Sequence, residues 1–164
     1  MFNISEATEA DIPVLFELAE RTWWPAYEKI LTAGQIRFML NTIYSRETIL
    51  HEMKCGTQVF LLLKEEDVPR AFASFGPRAE DDPVFKLHKL YVLPDQQGKG
   101  YGKALIDDIR NRLLRKNFHV LDLNVNRNNP ARFYYEKTGF RIIREEDIPI
   151  GPYWMNDYVM RLEF

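Results

Sequence analysis

The stretch KLHKLYVLPDQQGKGYGKALI, at residues 86 to 106, constrains the fold more than any other part of the chain. Lys86 to Leu93 is rich in strand formers and ends at Pro94. Glycines then stand at positions 98, 100 and 102, and from Tyr101 apolar residues recur at the helical spacing of three and four. A strand that runs through glycines into a helix predicts an anion site, because the first helical turn has free N–H groups and the positive end of the dipole.

The glycine spacing excludes two phosphate-binding motifs. A P-loop needs a serine or threonine directly after its lysine, whereas Ala104 follows Gly102-Lys103. A dinucleotide fingerprint that began at Gly98 would need a third glycine where Lys103 stands. Gln97, Gly100 and Gly102 instead form the pattern Q-x-x-G-x-G, directly after the strand.

A second motif, NNPARFYYEKTGF, occupies residues 128 to 140. Asn129-Pro130 predicts the start of a helix, because asparagine caps helices and proline is tolerated in their first turn. Gly139 predicts the end of the same helix. The sequence therefore indicates two helices separated by the strand Val120 to Asn126, and the strands around the first helix should be parallel.

The two motifs together resemble the GCN5-related N-acetyltransferase (GNAT) superfamily. The first is similar to the coenzyme A loop of that family, and the second to its helix of the form N-x-x-A-x-x-x-Y-E-K-x-G-F. The order of predicted elements is similar as well. The resemblance implies an α/β (α+β) GNAT fold, with a mixed central sheet of about seven strands flanked by helices and with splayed cofactor strands. The length predicts a single domain over residues 1–164, and the resemblance implies that it is an acetyltransferase domain.

Several local predictions concern the rest of the chain. Thr8, Thr32 and Ser45 are predicted helix caps, and Pro25 should end or kink the first helix. A strand hairpin is predicted from residue 58 to residue 75. Near the end, strands are predicted at 140–144 and 157–162, with a loop of mixed acidic and aromatic character at 145–156.

The resemblance implies acetyl-CoA as the co-substrate and assigns residues to it. Leu90, Tyr91 and Val92 would offer backbone groups to the acetyl end, and Asn128 would touch the pantetheine. Tyr135 would stand near the sulfur and protonate the leaving thiolate, although packing in the core is the alternative. The following residues would cradle the pyrophosphate: Gln97, Gly98, Lys99, Gly100, Tyr101, Gly102 and Lys103.

The amine must lose a proton, and His88 is the candidate base. It lies on the predicted cofactor strand, where relatives often carry Glu, and an unperturbed pKa of about 6.5 suits a base near neutral pH. A surface position or a satisfied core position is the alternative for His88. Trp23, Trp24 and Tyr27 stand at the bend where this family builds its acceptor wall, and core packing is again the alternative.

The acceptor predicted from the sequence is a small primary amine, with a polyamine as the leading choice. A looser resemblance to bacterial spermidine/spermine-type acetyltransferases rests on the YS-x-E stretch at Tyr44, the LYV strand end and the FY-x-K-x-GF helix. Acidic residues at 80–82 and 145–147, together with Asp157, could hold a polycation or could be solvated faces. Acetylation of a protein or peptide, and a non-catalytic acetyl-CoA-binding module, remain alternatives.

Composition narrows the other partners. The formal net charge of −2 gives no sign of a nucleic-acid or membrane surface. The single cysteine, Cys55, cannot form an internal disulfide, and the N-terminal residues resemble no signal peptide, so a cytoplasmic protein is expected. No group of residues has metal-ligand spacing, so no metal is predicted. A homodimer is compatible with the sequence.

Overall fold

The computed structural model describes residues 1–164 as seven strands and five helices. The strands are β1 (Phe2–Glu6), β2 (Val59–Glu65), β3 (Val68–Pro77), β4 (Phe85–Val92), β5 (Val120–Asn126), β6 (Arg141–Ile150) and β7 (Tyr153–Glu163). The helices are α1 (Ile12–Tyr27), α2 (Ala33–Ile43), α3 (Arg46–Cys55), α4 (Tyr101–Arg115) and α5 (Ala131–Lys137). None of the helices combines the length and the apolar character needed to cross a membrane.

All seven strands form one sheet in the order β1-β2-β3-β4-β5-β7-β6. Only β4 and β5 are parallel, and every other neighbouring pair is antiparallel. The long connection that a parallel pair needs is supplied here by α4. The predicted mixed sheet of about seven strands is therefore confirmed, and its single parallel pair lies at the predicted cofactor strand.

Two apolar layers cover the two faces of the sheet. On one face, α4 packs Leu105, Ile106 and Ile109 against inward-facing residues of β2 to β5. The other face is covered by α1, α2 and α3, with the fully buried Leu15 and Ile36 at its centre. The sheet is therefore buried on both sides near β4, and a ligand can approach β4 only where its neighbours leave a gap.

Most predicted helix ends are confirmed. The Thr32 side chain accepts a hydrogen bond from the Gln35 N–H, and Ser45 caps α3 in the same way. Pro25 lies inside α1 with two helical residues after it, so it does not end the helix. A proline this close to the C-terminal end removes only its own N–H bond to the preceding turn, and α1 continues to Tyr27.

The prediction of a loop at residues 145–156 is wrong. β6 continues to Ile150, a turn at residues 151 and 152 reverses the chain, and β7 begins at Tyr153. Gly151 has φ of +56°, which suits the tight reversal between two long strands. The acidic and aromatic residues of this segment belong to the two strands of a hairpin, a pattern that was hidden by its mixed composition.

Candidate active site

A gap opens between β4 and β5, as predicted for splayed cofactor strands. The two strands pair only from Phe85–Leu121 to Leu87–Leu123, whereas β4 stays paired with β3 as far as Val92. From residue 88 onward the β5-facing edge of β4 therefore has no partner strand. A cavity of about 390 Å³ lies there, with Leu87, Leu90 and Val92 on one side and Leu123 and Val125 on the other.

A β-bulge in β4 accompanies this separation. Lys89 pairs with Ser74 and Leu87 pairs with Phe75, so His88 is an extra residue on β4. Because a bulge shifts the alternation of side chains by one, Leu87 and Leu90 both contact the α4 layer. A bulge also adds twist to its strand, and this one lies at the position where β4 leaves β5.

A second cavity, of about 440 Å³, continues the first one toward the glycine loop. Leu90, Val92, Gln97, Ala131 and Tyr135 line both cavities. The glycines at positions 98, 100 and 102 and the ring of Tyr134 complete the second one. The two cavities therefore form one cleft that runs from the N-terminus of α4 to the C-terminal end of α1.

The glycine loop has the free N–H groups that an anion needs. The N–H groups of Gln97 to Gly100 donate to no backbone carbonyl, and the first bond of α4 runs from Ala104 to Gly100. Gly98 and Gly100 adopt φ of +84° and +83°, a region in which other residues are strained. A Cβ on Gly102 would approach the Tyr134 hydroxyl to 3.0 Å. A narrow cradle of backbone donors at a helix N-terminus suits a pyrophosphate.

The two lysines predicted to hold the pyrophosphate are engaged elsewhere. The Lys99 Nζ donates to Gln96 Oε1 at 2.8 Å, and Lys103 ion-pairs with Asp107 on the exposed side of α4. Neither residue lines the second cavity, whereas Tyr101 lines it and is held in place by its hydroxyl bond to Glu65. The cradle is therefore made of backbone rather than of lysine side chains.

Tyr135 lines both cavities at the point where they join. Its ring packs against Phe140, with centroids 5.8 Å apart, and its hydroxyl forms no hydrogen bond within the protein. Burial raises the pKa of Tyr135 above its ordinary value of 10. The phenol is therefore protonated at neutral pH and has a proton to donate into the cleft.

The predicted aromatic wall is only partly present. Tyr27 lines the first cavity, and its hydroxyl lies 3.3 Å from that of Tyr91. Trp23 is buried in the core and donates its indole N–H to Tyr44. Trp24 packs beneath the Arg37 guanidinium on the outer side of α1. Because successive helical residues point in different directions, only Tyr27 of the three reaches the cavity.

His88 lines the first cavity, but its ionisation differs from the expected one. Burial, together with the charges of Lys86 and Lys89, lowers the pKa of His88 to about 3. Its Nε2 is buried and has no hydrogen-bond partner. The assumption of an unperturbed imidazole is therefore wrong, because the sequence does not reveal that the bulge places this ring in a dry site.

The Asn128 side chain does not line the cleft, whereas two other asparagines do. Asn128 is exposed and lines neither cavity, whereas Asn129 lines the first one. Asn124, on β5, also lines the first cavity, and its amide contacts Asp157 on β7. In the sequence, Asn124 is only one of the polar residues of an alternating strand. Its contact with Asp157, 33 positions away, could not be predicted from the neighbouring residues.

Arginines offset much of the predicted acidic surface. Asp82 ion-pairs with Arg78 at 2.8 Å, and Arg127 contacts both Glu145 and Asp147. Asp157 forms no ion pair, and burial raises its pKa above the ordinary value of 3.8. No group of three or more His, Cys, Asp or Glu side chains is close enough to hold a metal ion.

Comparison with known proteins places these features in a wider group. The sequence model of the Acetyltransferase (GNAT) family matches residues 17–140. The chain is 24% identical over 153 residues to the uncharacterized N-acetyltransferase YuaI of Bacillus subtilis, covering 92% of this chain and 87% of that protein. It is also 24% identical over 142 residues to the spermidine N(1)-acetyltransferase of Thermoplasma acidophilum, covering 85% and 88% respectively.

The fold has a counterpart among solved structures. The crystal structure of the PaiA N-acetyltransferase of Thermoplasma acidophilum, in complex with coenzyme A, has a TM-score of 0.85 to this chain. The two sequences are 24% identical, and the match covers 100% of this chain and 99% of the other. This likeness confirms the predicted fold over the whole chain.

Proposed function

The chain belongs to the acetyltransferase (GNAT) family and is an acetyl-CoA-dependent N-acetyltransferase, and from this premise we propose that its acceptor is a small primary amine, with a polyamine as the leading candidate. The cleft between β4 and β5 is the single structural observation that carries the small-molecule acceptor, whereas the choice of a polyamine has separate support. Its glycine-loop end suits a pyrophosphate, and its α1 end leaves space for an acceptor beside Tyr27.

We infer that the backbone holds most of the acetyl-CoA. The N–H groups at residues 97 to 102 would bind the pyrophosphate, because they are free and lie at the positive end of α4. The unpaired edge of β4 at Leu90 to Val92 would accept the pantetheine arm as an added strand. Asn129, which lines the first cavity, is proposed in place of Asn128 as the side chain that would face this arm.

The chemistry needs a nucleophile, an oxyanion donor and an acid. The amine nitrogen bonds to the thioester carbonyl carbon, and the carbon–sulfur bond breaks. A backbone N–H near Val92 would stabilise the oxyanion, and one such donor is typically worth about 3 kcal/mol. Tyr135 would give its proton to the departing thiolate, because its hydroxyl is free, protonated and lines the cleft.

His88 is proposed to accept the amine's proton and pass it to water. With its pKa lowered to about 3, the imidazole is neutral at every physiological pH and always has a lone pair available. The same low pKa means that it holds a proton only briefly. A relay to solvent therefore suits His88 better than a stable conjugate acid does.

Two features support a polyamine acceptor. One relative that aligns with 85% of this chain is named a spermidine N(1)-acetyltransferase. In addition, Asp157 is a carboxylate without an ion pair, and the pKa of Tyr27 is raised mainly by burial and to a lesser degree by the charge of Asp157. A cationic acceptor would offset this buried charge.

An amine-panel assay that follows free thiol release from acetyl-CoA tests the proposal. Spermidine, spermine, monoamines, amino acids and a short peptide should be compared at equal concentration. We expect release with the polyamines well above the rate without an acceptor. Release only with the peptide would favour protein acetylation. Tight binding of acetyl-CoA with release for no amine would indicate a non-catalytic binding module.

A further inference from the structure

Asp157 carries an unpaired carboxylate oxygen in the interior. The residue is 6% exposed, and its Oδ1 contacts no solvent and forms no hydrogen bond. Buried polar atoms without partners are uncommon in folded proteins, and a buried carboxylate without a cation is costly. An unpartnered carboxylate oxygen in the interior is therefore a feature that needs an explanation.

The side chain of Asn124 connects the other carboxylate oxygen of Asp157 to the active-site cleft. Its Oδ2 accepts a hydrogen bond from the Asn124 Nδ2 at 3.3 Å. Asn124 faces the first cavity, at the level where β5 has lost its pairing with β4. Asn126 lies directly opposite Asp157, so Asn124 and Asp157 are diagonal neighbours on one face of the sheet.

This contact fixes the orientation of the Asn124 amide. An ionised carboxylate can only accept hydrogen bonds, so the amide must turn its NH₂ group toward Asp157. Its carbonyl Oδ1 is then directed away from Asp157, and it accepts no hydrogen bond within the protein. Asn124 therefore offers a free acceptor to the cavity, and the negative charge behind it strengthens that acceptor.

The surrounding charges do not compete for this contact. Lys86, Glu146 and Arg127 act on Asp157 through space, but none lies within ion-pair distance of its carboxylate. Arg127 instead donates to the Asp157 main-chain carbonyl, which anchors β7 and leaves the side chain to Asn124. Burial raises the pKa of Asp157, in keeping with a carboxylate in a dry site beside a cleft.

We propose that the Oδ1 of Asn124 accepts a hydrogen bond from the attacking amine, and that Asp157 is the positioning residue that holds the amide in this orientation. The proposal rests on the N-acetyltransferase function proposed above. Accepting one N–H of the amine would direct the nitrogen lone pair toward the thioester carbonyl. It would also hold the amine beside His88, which lines the same cavity. The ligand class that this pair recognises is a primary amine.

A double-mutant cycle on kcat/KM for the best acceptor of the panel tests the proposal. Asn124→Ala and Asp157→Asn should each lower kcat/KM roughly 10- to 100-fold, the range expected for a hydrogen bond that involves a charged group. The double variant should lose little more than either single one, because both changes remove the same contact. The acetyl-CoA affinity should stay within about twofold, since neither side chain belongs to the pyrophosphate cradle.

An exchange of the two residues separates positioning from a structural role. In Asn124→Asp/Asp157→Asn, residue 157 donates and residue 124 again turns an oxygen to the cavity, so activity should recover relative to Asp157→Asn. Glu163→Gln is the matched control, because it removes one exposed charge at the far end of β7, where Glu163 pairs with Arg141 and does not contact Asn124. Its kcat/KM should be unchanged.

Several results would overturn the proposal. Additive losses in the cycle, no recovery in the exchange variant, or full activity of Asn124→Ala would each do so. If Asp157→Asn fails to fold, Asn124→Ala still decides, because it only shortens a side chain that borders a cavity. If the wild-type protein acetylates no amine, the proposed function fails. If it acetylates an amine and Asn124→Ala does so equally well, only this inference fails.

Discussion

The two ends of the cleft are built in different ways. At the cofactor end, one contiguous segment from β4 to α4 supplies free backbone N–H groups, and its lysines, Lys99 and Lys103, point elsewhere. At the acceptor end, side chains from α1, β4 and β5 border the cavity, and Asp157 on β7 stands behind them. The first end is a local structure, whereas the second exists only once the sheet has formed.

This difference indicates which end of the cleft can change its ligand specificity. A cradle of main-chain donors binds any pyrophosphate and depends on glycines more than on particular side chains. A wall of side chains from separate elements can be altered one residue at a time without disturbing that cradle. One scaffold can therefore keep its co-substrate while its acceptor differs.

The largest effect is expected at Tyr135, where the two ends meet. Tyr135→Phe keeps the ring and removes the proposed acid, so kcat should fall about 10²- to 10⁴-fold while acetyl-CoA affinity barely changes. Stopped-flow thiol release and calorimetry measure the two quantities. Tyr134→Phe, which removes the neighbouring hydroxyl, is the control and should stay within about threefold of wild type. Activity of Tyr135→Phe within about threefold of wild type would mean that the Tyr135 ring acts only by packing.

The next largest effect should be confined to the cofactor end. Gly102→Val places a side chain between the pyrophosphate and the first turn of α4, and losing several charge-assisted bonds should weaken coenzyme A binding by about 100-fold or more. Gly34→Val is a matched control, because Gly34 is also the second residue of its helix and its Cβ would also meet a tyrosine hydroxyl, at 3.2 Å. If the two folded variants bind coenzyme A with equal affinity in calorimetry, the glycine loop is not part of the cofactor site.

The same contrast explains what the sequence could predict. The strand, the glycines and the helix start are adjacent in the chain, so the resemblance to the family's coenzyme A loop could assign Gln97 to Gly102 to the cradle. Tyr135 followed from the register of the second motif. The resemblance also implied the seven-stranded sheet and the splayed strands, because these belong to the family's order of elements.

The acceptor end was harder to predict, for physical reasons. Whether Trp23 or Tyr27 faces the cavity depends on how α1 is rotated against β4, and both residues are large aromatic ones that pack in the same apolar layer. The bulge at His88 inserts one residue and changes which side chains share a face, and no glycine or proline marks it. The contact between Asn124 and Asp157 depends on strand pairing across the sheet. The hairpin at 145–156 was missed because its strands mix acidic and aromatic residues.

The pH dependence of the unfolding free energy tests whether His88 is shielded from water at the acceptor end. Because the folded pKa of His88 is lowered to about 3, the unfolded chain binds a proton below about pH 6.5 that the folded chain excludes. The contribution of neutral His88 is therefore complete above pH 6.5 and is lost as the pH falls toward 3. Between pH 6.5 and 5, wild type should lose about 1.5 kcal/mol more unfolding free energy than His88→Gln.

Urea unfolding at several pH values provides this comparison. His51→Gln is the control, because His51 is exposed on α3, and its profile should follow that of wild type. Parallel profiles for wild type and His88→Gln would show that His88 titrates in the folded protein near its ordinary pKa. The imidazole of His88 would then be accessible to water, and it could act as a base that retains the proton, as predicted from the sequence.

The smallest effect concerns the acidic rim of the acceptor end. Glu146 lies opposite Asp157 on the hairpin and pairs with Arg144 at 3.3 Å, and both side chains are well exposed. Exposed charges are screened over about 8 Å at physiological ionic strength and are worth at most about 1 kcal/mol. Glu146→Gln should therefore raise the KM for spermidine only about two- to threefold, and added salt should do the same to wild type, with kcat unchanged in both cases.

Glu163→Gln is the control that tests whether the effect depends on where the charge lies, because Glu163 forms a similar exposed pair, with Arg141, at the far end of the same hairpin. If Glu163→Gln raises KM as much as Glu146→Gln does, the attraction is a property of the whole surface. If KM is independent of salt, the acidic rim does not recruit the acceptor, and its recognition depends on the buried side chains alone.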